Sequence, residues 1–193
     1  MPKNDDIYHS ILIVSASEQF NSIVKRSLKG SIMVDERKSA ATARRCILEK
    51  YYDLVVINAP LPDESGEEFA LDVTYKCNAS ILLVISQDLY NNIYENMVNH
   101  AIYVLPKPFP RGSVDKAVLF LLADQVKFRQ LEKKVSSIED KMEELRLVSQ
   151  AKILLVENEH MSEDEAHRSI INDAMNRGLS KKRIAQSIID KYE

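Results

Sequence analysis

Glycine and proline are scarce, 4 and 6 in 193 residues. So few breakers exclude a loop-rich sandwich or a string of flexible linkers and favour long helices. Tryptophan is absent, and cysteine occurs only as Cys46 and Cys77. Two thiols make neither a disulfide framework nor a four-ligand zinc site, and they suit a reducing compartment; both are expected to be buried. Neither charge sign dominates, because 26 Lys and Arg face 29 Asp and Glu for a net −3. That balance is too even for a polybasic binder. The longest apolar runs, 81–85 and 117–123, fall far short of the ~20 residues that span a bilayer. The opening MPKNDDIYHS is polar and acidic, unlike a signal peptide. A cytoplasmic protein with no membrane association is the expectation. What is present is 45% hydrophobic residues, enough to build one or two cores.

From Ile11 onward, short β-branched runs alternate with amphipathic stretches: ILIV (11–14), SIMV (31–34), DLVVI (53–57), ILLVI (81–85) and IYVL (102–105). The inner runs lack polar alternation, as strands covered on both faces do. Between them, 17–29, 39–50, 65–76 and 88–98 are each long enough for a crossover helix, and a fifth should begin near 111–113. Ser17 and Ser39 stand where N-caps belong and Gly30 where a C′ residue belongs. The predicted fold is α/β, a five-stranded doubly wound parallel sheet with its chemistry at the carboxyl ends of the strands.

No Gly or Pro occurs between Ser113 and Arg177. Leu121, Phe128, Val135 and Met142 recur every seven residues, with Leu131, Ile138 and Leu145 three after the last three; Asp124 alone breaks the second column. A 3.5-residue period implies a left-handed coiled coil. The charges choose its orientation: Lys127 would face Glu132, and Lys134 Glu139, of a second copy in a parallel pair, against one unfavourable Lys141–Arg146 pairing. These seven apolar residues are the predicted interface of a parallel homodimer, although the stripe would also suit packing on the chain's own C-terminal helices. Beyond Leu145, Ser162-Glu163-Asp164-Glu165 reads as a capping box, Ala166, Ile170 and Ala174 as a buried face, and Gly178 as a stop. Ser180 can cap a last helix whose inward face is Ile184, Ile188 and Ile189. The result is a small all-α three-helix bundle.

DLVVINAPLPDESG (53–66) and VLPKPF (104–109), with Ser86 after the fourth strand, make the first block similar to a response-regulator receiver domain, flavodoxin-like, of two-component systems. The resemblance implies an Asp nucleophile at position 58 and an acidic pair holding Mg²⁺ after the first strand. This chain has Asn58, Ser15 and Ala16 instead, while Lys107 is retained. An amide oxygen forms no acyl phosphate, and Mg²⁺ is normally held by carboxylates. A pseudo-receiver is therefore expected, with no enzymatic activity and no resident metal or cofactor. Asp63 and Glu64 in the following loop offer two carboxylates to a metal, but read better as a solvated loop.

QAK (150–152), SEDEAHR (162–168), AMNR (174–177) and the Ile184-Ala185 pair resemble the ANTAR domain of transcription antiterminators, of the type represented by the aliphatic-amidase regulator. The predicted organisation is a polar tail (1–8), pseudo-receiver (9–120), coiled-coil helix (121–146) and ANTAR bundle (147–193), the family domain beginning near 132. The resemblance implies binding of paired leader-RNA hairpins so that a terminator cannot form. From Ser149 onward seven basic residues face eight acidic ones, so global attraction cannot explain binding, but Arg177–Arg183 gathers four positive charges in seven residues. Expected RNA contacts are Lys152, Arg168, Arg177, Ser180, Lys181, Lys182 and Arg183, with His167 and Met175 as surfaces for splayed bases. A regulatory protein on the pseudo-receiver, around 91–99, is a candidate partner. The alternative is a DNA-binding helix-turn-helix regulator, disfavoured because isoleucines occupy the last helix where base-reading groups belong.

Overall fold

The computed structural model describes residues 9–28 and 32–192; the 1–8 tail and Gly30 lie outside them. Five strands, β1 (His9–Val14), β2 (Ile32–Arg37), β3 (Leu54–Asn58), β4 (Ser80–Ser86) and β5 (Ile102–Lys107), alternate with α1 (Glu18–Ser27), α2 (Ala40–Glu49), α3 (Glu67–Lys76) and α4 (Gln87–Asn99). All strand pairs are parallel, in the order β2-β1-β3-β4-β5. Side chains alternate across the sheet. Leu12, Val14, Val55 and Ile57 join α2, α3 and α4 in one core layer, whereas Ile11, Ile13, Leu54 and Val56 join α1 and α5 in the other. Burial on both faces is why the inner strands read as unbroken apolar runs. Ser17 and Ser39 cap α1 and α2 as expected, their hydroxyls accepting from the Phe20 and Thr42 amides.

The fifth helix, α5 (Ser113–Glu159), runs 47 residues without a break. The chain divides into two compact units between Phe128 and Arg129. In the first, Leu121 and Leu122 are buried beside Val114, Ala117 and Val118. In the second, α5 is joined by α6 (Glu163–Arg177) and α7 (Lys181–Tyr192). Its core holds Leu147, Val148, Ala151 and Leu155 of α5, Ala166, Ile170 and Ala174 of α6, and Ile184, Ala185 and Ile189 of α7. Ile189 is thus the buried member of the adjacent isoleucines and Ile188 only partly so. The Ser162–Glu165 capping box forms, and Gly178 ends α6 at φ 62°. Cys46 is buried, but Cys77 is only half so, its thiol donating to the Val73 carbonyl. Among the described residues, no helix is long and apolar enough to cross a membrane.

Candidate functional site

At the carboxyl ends of β1 and β3, where the strand order reverses, the Asn58 Nδ2 donates to Ser15 Oγ at 2.9 Å. The same oxygen accepts the Ser17 amide at 3.0 Å, which fixes Ser15, itself buried, at the start of α1. Asn58 Oδ1 is buried and has no partner among the described residues. Strand pairing sets Ser86 opposite Lys107 on the neighbouring strands, and the Lys107 ammonium donates to the Ala59 carbonyl at 2.5 Å. Burial pushes the Lys107 amine below its ordinary value. Ala16 lies at the rim and is exposed. The structure thus gathers hydroxyl, amide and ammonium groups here, with no carboxylate at positions 15, 16 or 58. Among the described residues no group of His, Cys, Asp and Glu could hold a metal ion.

The following loop is exposed at Asp63, as expected, and Glu64 is half-buried, yet both carboxylates are tied down. Asp63 accepts the Ala40 and Ala41 amides at the start of α2 (3.0 and 2.9 Å), which hold its carboxyl below the usual range. Glu64 takes a two-pronged bond from Arg44, whose Nε reaches Asp72 at 2.8 Å. The loop is stapled to α2 and α3, a long-range match that spacing along the chain does not signal.

In the second unit, Met175, Ser180 and Lys181 border one cleft of about 380 Å³ with Leu179. Met175 is 75% exposed, which removes core packing as its role. Arg168 lies seven residues earlier on the same side of α6. Arg168, Lys181 and Arg183 are exposed, with no ion pair among the described residues. Ser180 also caps α7, its hydroxyl accepting the Arg183 amide at 3.3 Å. His167 is exposed, and Arg177 is exposed beside Asp173 at 3.7 Å. Two lysines are placed differently. Lys182 pairs with Glu143 of α5, which keeps that carboxyl below its ordinary value. Lys152 pairs with Glu163 at 2.5 Å and borders a separate cleft of about 450 Å³ with Ile153, Val156 and Met161. Neither pairing is signalled in the sequence, where Glu143 reads as ordinary surface charge and Glu163 as part of the capping box.

The family model described as ANTAR domain matches residues 136–189. Residues 136–189 form an ANTAR domain. PdtaR, a transcriptional regulatory protein of Mycobacterium tuberculosis, is 25% identical over 138 residues, covering 72% of this chain and 67% of that one. Among solved structures, a chain described as an adenylate cyclase from Rhodopirellula baltica aligns with TM-score 0.60 at 16% identity, over 67% of this chain and 98% of that chain. The chemotaxis response regulator CheY4 of Vibrio cholerae aligns with TM-score 0.51 at 20% identity, over 59% of this chain and 98% of that chain. At such identities these likenesses establish the receiver fold and nothing of activity.

The ANTAR domain includes the second half of the α5 stripe. Phe128, Leu131, Val135, Ile138, Met142 and Leu145 are all exposed, from 39% at Phe128 to 67% at Leu145. They do not pack on the chain's own α6 and α7. Leu121 is the exception and corrects the predicted interface: at 6% exposure it belongs to the core beneath the sheet. Its neighbour Phe120 is 64% exposed instead. Leu121 still lies in the stretch of α5 that packs beneath the sheet with Val114, Ala117 and Val118, whereas Phe128 and the later members of the column lie past it.

Proposed function

We propose that this protein is a dimeric RNA-binding transcription antiterminator that grips paired leader-RNA hairpins and is not controlled by phosphorylation of its receiver. The observation that carries the RNA reading is the α6–α7 turn of the ANTAR domain. An exposed Met175 shares a cleft there with Lys181, Arg183 follows on α7 and Arg168 lies two turns earlier on α6, and these three cations form no ion pair among the described residues. An apolar platform framed by cations suits an unstacked loop base and its flanking phosphates. The acidic remainder of the unit discourages long duplexes and leaves this patch as the locus of attraction. Ile184 and Ile189 are turned into the bundle and leave a polar exposed face on α7, so duplex DNA is the competing ligand to test. The test is a titration of a two-hairpin leader against salt, with duplex DNA of the same sequence alongside. Each phosphate contact is expected to add about 0.7 to 0.9 to the log–log slope. Equal affinity for the duplex contradicts the reading.

Pairing is supported by the exposed stripe and by the Lys127–Glu132 and Lys134–Glu139 complementarity across two copies. Two linked ANTAR domains bind two linked hairpins with a gain in effective concentration. Silence towards phosphate is supported by the neutral Asn58–Ser15 pair. With no acyl phosphate to form, the signal arrives by protein contact or by a bound ligand. The α4 surface around 91–99, where Tyr94 and Val98 are exposed, as is Tyr103 of the adjoining β5, is the candidate protein contact.

A further inference from the structure

Within the first unit, α1 and the start of α5 enclose a cavity of about 420 Å³, lined by Ile23, Arg26, Phe109, Arg111, Val114 and Asp115. It shares no residue with the Asn58–Lys107 pocket. We propose that it binds a small organic monocarboxylate with an apolar body.

Two guanidinium groups line this one space without a counter-ion among the described residues. Arg26 spends only its Nε, on the Ser22 carbonyl of its own helix at 3.2 Å, and Arg111 has no partner among those residues. Both are exposed, Arg26 on α1 and Arg111 just before α5, so their guanidinium groups are open to an incoming anion. Guanidinium forks that lack a carboxylate of their own are receptors for one. Asp115 is the single acid on the wall, and one of its oxygens is occupied by the Ser27 hydroxyl. Two arginines and one aspartate leave the lining at +1. A monocarboxylate neutralises that charge, whereas a phosphate dianion overshoots it. The other walls are apolar: Val114 is buried in the core, and Ile23 and Phe109 pack against it. They favour a branched or single-ring body over a bare anion. The volume lies at the small end of the range for ligand sites, about 300 to 1,000 Å³.

The experiment is nitrogen-15 NMR on the full chain, titrated with benzoate and with isovalerate, and with benzamide as the neutral mimic of the first. The expected result is saturable shifts at Arg26, Gly112 and Val114 with either acid at millimolar concentration, and none with benzamide. Arg111→Gln, with Arg26→Gln as a second variant, is expected to weaken binding by about ten-fold or more, the effect of removing one charge-assisted contact. Neither side chain supports the core, so the amide spectrum away from the cavity should stay unchanged. No saturable shift with either acid, equal response to benzamide, or unchanged binding by both variants overturns the proposal.

Discussion

At position 58 one nitrogen replaces one oxygen, and the consequences are local and chemical. The Asn58 amide is held by Ser15, and Lys107 has turned to a backbone carbonyl. Restoring the nucleophile alone does not restore the metal that neutralises charge on the transferring oxygens. Intact-mass spectrometry after acetyl phosphate and Mg²⁺ is expected to find no adduct on wild type or on Asn58→Asp. A phosphoryl adduct is expected only when Ser15→Asp and Ala16→Asp are added. An adduct on wild type contradicts the silent pocket. Asp63 gives a pH signature. Its carboxyl is depressed in the folded chain by the Ala41 and Ala40 amides, so its contribution to stability is present above the ordinary carboxylate value and lost as pH falls through the depressed one. Asp63→Asn keeps an acceptor but not the charge. Its melting temperature is expected below wild type near neutrality and level with it in acid, and parallel curves refute the assignment.

At the scale of elements, the α6–α7 turn depends on a left-handed residue. Gly178 has φ 62° and open space where a methyl group would sit, so the cost of Gly178→Ala is backbone alone, about 1 to 2 kcal/mol. Hydrogen exchange of α6 and α7 amides measures it without assuming that both units unfold together. Elements were the most legible part of this chain. ILIV, DLVVI and ILLVI announce buried strands because nothing polar interrupts them, and Ser17, Ser39 and Ser162 announce helix starts because a hydroxyl there satisfies an otherwise unpaired amide. Partners distant along the chain were illegible. Nothing near Asp63 says that it will find Ala40 and Ala41, and nothing near Lys182 names Glu143. Leu121 fitted the heptad and still turned inward, because the sheet claims the first turns of α5 before the repeat does. Of the candidate RNA contacts, the sequence located the cluster at 177–183 but not which of its cations are matched to acids.

For the whole molecule, the proposed function turns on the number of copies acting together. Ile138 is 58% exposed and outside every core, so Ile138→Asp is expected to leave the circular dichroism unchanged while sedimentation reports single chains. Affinity for a two-hairpin leader is expected to fall with it, and affinity for one isolated hairpin to stay the same. Loss of both to the same degree argues that pairing serves something other than the RNA. A net −3 adds no general attraction to nucleic acid, so selectivity rests on where charge is placed.

The exposed stripe ends at Leu145, and the buried face of the ANTAR core starts at Leu147. On the proposed dimeric, RNA-binding function, a copy shortened after Arg146 keeps the means of partnering and loses the means of gripping. Made alongside the full chain, it is expected to act as a poison subunit, drawing intact copies into lopsided assemblies, so that a gene fragment silences its own parent at modest dosage.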